Sequence, residues 1–439
     1  MKVFKFGGTS VGSVENMNAV MKLVTDGESK IVVLSAMSGT TNALVEIATY
    51  LANKNKEAAS TKIAALETNY DQVVNSLLKG EYKSAGELAI KNAFNTIRQQ
   101  TMGEFNIEVD TKTILAQGEL ISTALFTQLM LSHGHNTKLI PALDFMRIDE
   151  DKSADAHTIS PLLEKTIKQA GHANYYVTQG FICRNHLNEI DNLQRGGSDY
   201  TASLIGAAIE SEEVQIWTDI DGFHNNDPRF VEGTKKVEQL SFNEAAELAY
   251  FGAKILHPQT VLPAKLYNIP VRLKNTMNPS DSGTLITRES SGSGIKAVAA
   301  KDGIIAIKIR SYRMLMAYGF MRTIFDIFEK HKTPVDMVTT SEVAVSLTID
   351  NTDHLNKIVE ELKHFAQVEV DSNMSIVCIV GDIISEENHF ASKVFTALEN
   401  IPVRMISYGG SRHNISILVS TENKKCTLQA LSDKILPHA

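Results

Sequence analysis

The first thirteen residues constrain the fold of this chain more than any other stretch. Residues 3–6 form a short apolar strand that carries Lys5 directly into the paired glycines Gly7 and Gly8. After Ser13, a predicted N-cap, apolar residues recur at the spacing of one helix face. Glycine amides at a helix start can hold a phosphate group. A tight strand-to-helix turn with an incidental lysine would have the same sequence, so both interpretations stay open here.

A second strand–loop–helix unit follows at once. Residues 30–35 are a continuous apolar run, as expected of a strand buried on both faces, and residues 36–42 are a polar turn before another helical pattern. Repetition of this unit predicts a parallel sheet with crossover helices. Both polar loops would then face one crevice at the carboxyl ends of the strands.

Composition bounds the class of protein. A length of 439 residues with 43% hydrophobic content predicts two or three domains with ordinary cores. A net charge of −8 argues against non-specific nucleic-acid binding. The longest nearly apolar stretch, residues 376–384, is too short to cross a bilayer, and three scattered cysteines form no metal or redox motif. We expect a cytoplasmic protein without nucleic-acid or membrane partners.

Further candidate site residues lie beside glycines. A second Gly-Gly pair, residues 196 and 197, precedes a predicted helix and is flanked by Arg195 and Asp199. Glu119 follows Gly118 at the predicted start of another helix, where the simplest expectation is an interaction of its carboxylate with the helix dipole.

Two other patterns resemble metal sites only weakly. His133 and His135 surround one glycine with no further ligand at suitable spacing, so we assign them to a helix-ending turn. Asp219 and Asp221 follow a predicted strand, and such turn aspartates commonly bond the backbone instead of a metal. No metal site is predicted.

The C-terminal third contains an internal repeat of about seventy residues. A helix stripe at Met321, Ile324, Phe325 and Phe328 is matched by one at Ala391, Val394, Phe395 and Leu398, and each is followed by paired strands. The predicted boundaries are residues 1–280, a linker over 281–302, and two ferredoxin-like units over 303–372 and 373–439. The second unit lacks a closing strand, which residues 295–300 could supply.

Four motifs together resemble one known family. Residues 5–10, 194–199, 217–219 and 251–258 resemble, in order, the signatures of aspartate kinases of the amino-acid kinase superfamily. The repeated C-terminal units resemble that family's ACT domains. The resemblance implies an α/β amino-acid kinase fold, mainly a parallel sheet sandwiched by helices, followed by two βαββαβ ACT domains, as in the monofunctional members.

The resemblance also implies roles for individual residues. Lys5 and Asp199 would be catalytic, with Asp199 either holding Lys5 or binding the substrate ammonium. Implied substrate-binding residues are Ser35, Thr41, Glu119, Arg195, Gly196, Gly197 and Ser198. Implied ATP-binding residues are Lys5, Gly7, Gly8, Thr9, Ser10, Thr218, Asp219, His224, Arg229, Lys254 and Ile255, with His224 where related enzymes commonly have tyrosine. Implied effector-binding residues are Met314, Asp336, Thr340, Ser341 and Glu342.

The implied reaction transfers the γ-phosphoryl group of ATP, supplied with Mg²⁺, to the β-carboxylate of L-aspartate. Feedback by an amino acid, with lysine expected, and a homodimer or homotetramer formed through the ACT domains are also implied. Two alternatives remain. One is a related kinase with another acceptor, and the other is a non-catalytic amino-acid sensor.

Overall fold

The computed structural model describes residues 1–193, 196–252, 256–289, 294–311, 318–382 and 390–436. The chain divides into two compact units. The first comprises Met1–Gly222 and Ile255–Glu289, and the second comprises Phe223–Lys254 and Ser290–Ala439. Helices and strands are numbered in chain order through both units.

The first unit is built on a mainly parallel sheet. Its strands are β1 (Lys2–Phe6), β2 (Lys30–Leu34), β3 (Thr137–Leu139), β4 (Tyr175–Gln179), β7 (Val214–Thr218), β9 (Val271–Asn275) and β10 (Thr284–Thr287), with a separate hairpin of β5 (Ile182–Arg184) and β6 (Ile190–Asn192). Within the unit the sheet order is β3-β4-β2-β1-β7-β9-β10, and β10 runs antiparallel to β9. The predicted parallel sheet is confirmed.

Helices cover both faces of this sheet. They are α1 (Val14–Val24), α2 (Thr40–Ala52), α3 (Lys56–Leu77), α4 (Gly80–Gln99), α5 (Ile107–Ser132), α6 (Ala142–Phe145), α7 (Ala156–Ala170), α8 (Gly197–Ala208) and α10 (Leu262–Leu266). Phe4 and Phe6 of β1 belong to the core beneath α1–α5. Since side chains alternate along a strand, Lys5 points to the opposite face, where α8 packs against β1.

The helix around Glu119 differs from its prediction. Helix α5 begins at Ile107, capped by the Asn106 side chain, so Glu119 lies in the middle of a 26-residue helix. The expected interaction of this carboxylate with a helix start is therefore wrong. Of the described helices, α5 alone has the length and hydropathy of a membrane span, but 72% of its most apolar window is buried, as in a core helix.

The second unit contains one sheet shared by two ferredoxin-like folds. Its elements are β8 (Gln239–Ser241), α9 (Phe242–Tyr250), β11 (Gly294–Arg310), α11 (Phe320–Lys330), β12 (Val338–Thr340), β13 (Ala344–Ile349), α12 (Leu355–Lys363), β14 (Gln367–Asp382), α13 (Phe390–Ala397), β15 (Met405–Ser407), β16 (Asn414–Ser420) and α14 (Lys424–Ile435). The sheet order is β12-β13-β11-β14-β16-β15.

The two long strands of this sheet each serve both folds. The second half of β11 pairs with β13 and with the first half of β14, so that the first fold is complete. The first half of β11 pairs with the second half of β14, with Lys301 opposite Ile376. Residues 295–300 therefore supply the closing strand of the second fold, as the sequence predicts.

Each fold has its own apolar core, but the predicted helix stripes are partly wrong. Ile324, Ile327 and Phe328 are buried on α11, whereas Phe325 is 40% exposed. On α13 the equivalent Phe395 is 39% exposed. The buried face also includes Ile327 on α11 and Phe390 and Ala397 on α13, each one position before a predicted residue. Because the face is shifted in this direction, the two phenylalanines lie at its edge.

Candidate active site

The loop after β1 presents backbone amides at the carboxyl edge of the sheet. The Gly7 amide donates to the Trp217 carbonyl at 3.2 Å, and the Ser38 amide donates to the Gly8 carbonyl at 3.1 Å. A Cβ at Gly8 would lie 2.9 Å from the Ala36 carbonyl oxygen, so a side chain there would push the two loops apart. Within the described part of the chain, the amides of Gly8 and Thr9 donate to no acceptor. The loop can therefore offer two N–H groups to an anion.

Other groups of this loop are occupied by structural contacts. Ser13 caps α1 by accepting from the Asn16 amide, as predicted. The Ser10 hydroxyl is buried and lies 2.7 Å from the hydroxyl of Thr276, just after β9. Ser10 thus fastens the loop to the neighbouring strand, while Thr9 is exposed.

Lys5 and Asp199 form an ion pair at the same edge. Lys5 Nζ lies 2.6 Å from Asp199 Oδ1, and the two side chains are only 11% and 15% exposed. Asp199 lies in the first turn of α8, where the helix dipole stabilises its negative charge.

Glu119 is a buried carboxylate on α5. Its Oε1 accepts from the Ala36 amide at 3.2 Å, while Oε2 is buried without a hydrogen-bond partner among the described residues. Burial raises the pKa of Glu119 to about 7, and the Ala36 amide partly opposes this rise. Gly118 permits the close approach, since a Cβ there would meet Ala36 Cβ at 2.8 Å. The free oxygen is placed to accept a charged donor from a ligand.

These groups line one open cleft of about 270 Å³, which suits a small polar ligand. The cleft is formed within the first unit. Its lining residues are Lys5, Ser35, Thr41, Glu119, Phe181, Gly196, Gly197, Ser198 and Asp199. The structure therefore brings together side chains that lie far apart in the sequence, with a cation and two carboxylates around one small space.

The start of α8 depends on close packing at its glycines. Gly196 has φ +80, and a Cβ there would lie 2.5 Å from Thr260 Cγ2. A Cβ on Gly197 would lie 2.7 Å from the Phe181 ring. These contacts bring the first turn of α8, with Ser198 and Asp199, against the cleft.

The predicted nucleotide residues of the first unit follow β7. The Thr218 hydroxyl donates to Asp219 Oδ1 at 3.0 Å, and the Thr276 amide donates to the Thr218 carbonyl at 2.8 Å. Asp219 is exposed. Among the described residues, no three His, Cys, Asp or Glu side chains cluster as a metal site would require.

Two further predicted nucleotide residues belong to the second unit. His224 Nδ1 lies 3.2 Å from the Thr234 hydroxyl. Arg229 is 77% exposed and pairs with Asp227 at 2.6 Å, and this contact lowers the pKa of Asp227 despite its partial burial. The Arg229 guanidinium therefore points toward Asp227 in the same loop.

The predicted effector residues lie at opposite ends of β12. Asp336 precedes the strand, where its amide donates to the Thr348 carbonyl at 2.9 Å, whereas Thr340 ends the strand and Ser341 and Glu342 lie in the turn to β13. The Asp336 carboxylate is buried, accepts from the Tyr250 hydroxyl and pairs with Lys301 at 3.2 Å. Burial and this carboxylate raise the pKa of Tyr250. The other three residues, Thr340, Ser341 and Glu342, are exposed. Asp336 is therefore already satisfied on one oxygen, whereas its Oδ2 is buried and unpartnered within the described chain.

Four predicted site residues lie outside the described residues: Arg195, Lys254, Ile255 and Met314. Sequence reasoning missed Phe181, which lines the cleft with a φ of 68. No local signal identifies a phenylalanine in that backbone region. It also missed the buried contact between Thr40 and Tyr70, whose hydroxyls lie 2.8 Å apart.

Comparison with known proteins gives a consistent result. The model of the amino acid kinase family matches residues 1–275, and an ACT domain model matches residues 377–435. Lysine-sensitive aspartokinase 3 of Escherichia coli (strain K12) is 32% identical over 452 residues, covering 99% of this chain and 98% of the relative. Chloroplastic aspartokinase 3 of Arabidopsis thaliana is 34% identical over 461 residues, covering 98% of this chain and 80% of the relative.

Solved structures agree with these sequence matches. E. coli aspartokinase III in complex with aspartate and ADP has a TM-score of 0.83 at 31% identity, covering 99% of both chains. The same enzyme in complex with lysine and aspartate has a TM-score of 0.82 at 30% identity, covering all of both chains. The chain therefore belongs to the amino acid kinase family and, within it, to the aspartokinases.

Proposed function

We propose that this chain transfers the γ-phosphoryl group of MgATP to the β-carboxylate of L-aspartate, giving 4-phospho-L-aspartate. The observation that carries the proposal is the convergence of Lys5, Asp199 and Glu119 on one small cleft. A relative that covers nearly the whole chain binds aspartate and ADP, which supports both substrates.

The chemistry requires charge neutralisation more than proton transfer. A free aspartate carboxylate has a pKa of about 3.9, so the nucleophile is already ionised near neutral pH and needs no general base. The barrier comes from the repulsion between this carboxylate and the triphosphate. Lys5 reduces that repulsion in the transition state, and Asp199 orients the Lys5 ammonium.

The two ends of the amino acid need opposite charges. Glu119 Oε2 accepts from the substrate ammonium, so that the buried carboxylate gains an oppositely charged partner when the substrate binds. By family resemblance, Arg195 binds the α-carboxylate, and Ser35, Thr41 and Ser198 surround the side chain. This assignment is supported by the position of these three side chains, because all of them line the cleft.

The nucleotide phosphates bind at the loop after β1. The unpaired amides of Gly8 and Thr9, next to the start of α1, support this position. Thr218, Asp219, His224, Arg229, Lys254 and Ile255 bind the remainder of ATP by family resemblance. Mg²⁺ enters with ATP as part of the substrate.

The proposed regulation also rests on the similarity to known aspartokinases. We infer lysine inhibition through the ACT domains, because one relative is lysine-sensitive and its structure has been solved with lysine bound. The effector site includes Met314, Asp336, Thr340, Ser341 and Glu342. The functional division is a catalytic domain over 1–280, a linker over 281–302 and ACT domains over 303–372 and 373–439, in a cytoplasmic homodimer or homotetramer.

The direct test is ATP turnover by the purified full chain with L-aspartate, with hydroxylamine present to trap the acyl phosphate. Aspartate should give both ADP and the hydroxamate, whereas glutamate and N-acetylglutamate should give neither above background. Lys5→Ala protein is the matched control for contaminating kinases. Equal turnover with another carboxylate, or no turnover with any, would refute the proposal.

Lysine is then added to the same assay. Inhibition should appear with lysine and be absent with norleucine, an analogue that lacks the side-chain ammonium group. Identical rates with and without lysine over a wide concentration range would reject lysine as the effector while leaving the reaction itself unaffected.

A further inference from the structure

Tyr70 is a buried tyrosine with one polar contact at its hydroxyl. It lies on α3, its residue is 1% exposed, and its ring meets Phe94 of α4 edge to face with centroids 6.1 Å apart. This packing fixes the ring in the layer of helices behind the cleft. The hydroxyl must therefore find a partner inside the protein, because an unpaired buried hydroxyl is costly.

That partner is Thr40, the first residue of α2. The two hydroxyl oxygens lie 2.8 Å apart, and Thr40 is 3% exposed. The methyl group of Thr40 packs against α5, since a Cβ on Gly118 would lie only 3.2 Å from Thr40 Cγ2. Thr40 is thus held on one side by Tyr70 and on the other by the residue that precedes Glu119.

The start of α2 has no side-chain cap that would hold it otherwise. Its N-cap is Gly39, with φ +80 and no side chain to accept from the helix amides. A Cβ on Gly39 would meet no atom within 4 Å, so this residue has open space around it. In the described structure, the first residue of α2 is instead held by two polar contacts: its amide donates to the Met37 carbonyl at 3.0 Å, and its hydroxyl meets that of Tyr70.

Two residues close to Thr40 line the cleft. Thr41 is the next residue along α2, and Glu119 follows Gly118 on α5. We propose that Tyr70 is a positioning residue: through Thr40 it holds Thr41 and Glu119 in the arrangement that binds the amino-acid substrate. Tyr70 does not line the cleft, and this inference rests on the proposed function.

The test compares Tyr70→Phe with Tyr176→Phe in the full chain. The first change removes only the hydroxyl that meets Thr40. Tyr176 is the control, because its hydroxyl donates to the Gly171 carbonyl at 3.0 Å and accepts from the Ala173 amide at 3.1 Å, just before β4 and at the sheet edge opposite the cleft. Tyr70→Phe should raise the aspartate KM about 5- to 10-fold, with the ATP KM and kcat changed less than about twofold. Tyr176→Phe should leave all three constants unchanged.

A double-mutant cycle separates positioning from general loosening. Thr40→Val removes the other hydroxyl and should raise the aspartate KM as Tyr70→Phe does, and the double variant should be no worse than either single one. Thr40→Ser should retain most of the wild-type aspartate KM. The inference would be overturned if Tyr70→Phe left the aspartate KM unchanged, or if it raised the aspartate and ATP KM values equally. It would also be overturned if the two single effects multiplied in the double variant, or if neither Tyr70→Phe nor Thr40→Val folded. Absence of aspartate turnover in the wild-type chain would instead refute the proposed function.

Discussion

The raised pKa of Glu119 predicts a distinctive pH dependence of aspartate use. Only the carboxylate form can pair with the substrate ammonium, and burial raises the pKa of this group to about 7. In the free enzyme, about half of Glu119 is then ionised at pH 7 and about a tenth at pH 6. We therefore expect kcat/KM for aspartate to fall about tenfold per pH unit below about pH 7.

The variant Glu119→Gln isolates this effect. Glutamine retains an oxygen to accept from the Ala36 amide but cannot titrate. Its kcat/KM for aspartate should be at least about tenfold below wild type near pH 8, and the deficit should shrink toward pH 6 as wild-type Glu119 becomes protonated. The wild-type to variant ratio, measured by ADP release at saturating MgATP, cancels titration of the nucleotide phosphates. A ratio that is flat from about pH 5.5 to pH 8.5 would refute the assignment.

The same pKa also predicts the stability of the unliganded protein. The folded-state pKa is raised above the unfolded value, so the folded protein binds the proton more tightly and stability falls as pH rises from 4.5 to about 7. Over this pH interval the free energy of unfolding should fall by at most about 3 kcal/mol. Relative to wild type, Glu119→Gln should therefore gain stability between about pH 5 and pH 8 in urea unfolding. A constant difference between the two proteins would contradict the buried, titrating carboxylate.

Three further predictions follow from the first unit. Lys5→Ala should lower kcat at least about 100-fold with a smaller change in the ATP KM, because its charge matters most in the transition state, and an unchanged kcat would refute the role. Gly8→Ala should raise the ATP KM and lower the Tm, since its methyl would lie 2.9 Å from the Ala36 carbonyl, whereas Gly103→Ala, with no atom within 4 Å, should change neither. Ser10→Ala should cost about 1 kcal/mol in unfolding experiments through loss of the Thr276 contact, and its effect on the ATP KM should be smaller than that of Thr9→Ala.

The strand and loop pattern of the sequence was sufficient to predict the position of the cleft. The apolar runs at residues 3–6 and 30–35 are each followed by a polar loop and a helical pattern, which predicts a parallel sheet, and the carboxyl ends of such strands share one edge. The capping role of Ser13 was also predictable, because a cap depends on residues only three positions away. The closing strand at residues 295–300 was inferred because a ferredoxin-like fold lacking one strand needs it.

Features that depend on long-range packing could not be predicted in this way. Glu119 lies in the middle of α5, and its raised pKa comes from helices and loops that only the folded chain places around it. The Tyr70 hydroxyl meets a residue thirty positions earlier, and neither residue belongs to a recognisable motif. Phe325 and Phe395 fit a helical period but lie at the margin of the buried face, where hydrophobicity alone does not decide exposure.

The shared strands β11 and β14 make one regulatory fold an insert within the other. Because Lys301 lies opposite Ile376 in adjacent antiparallel strands, a tight turn joining residue 302 to residue 374 would preserve every strand of the C-terminal fold. The intervening 71 residues, 303–373, could be excised as a block. Truncation that removes residues 294–302, by contrast, leaves the C-terminal fold with an open sheet edge. The C-terminal fold should therefore tolerate loss of the inserted fold better than loss of the segment that precedes it.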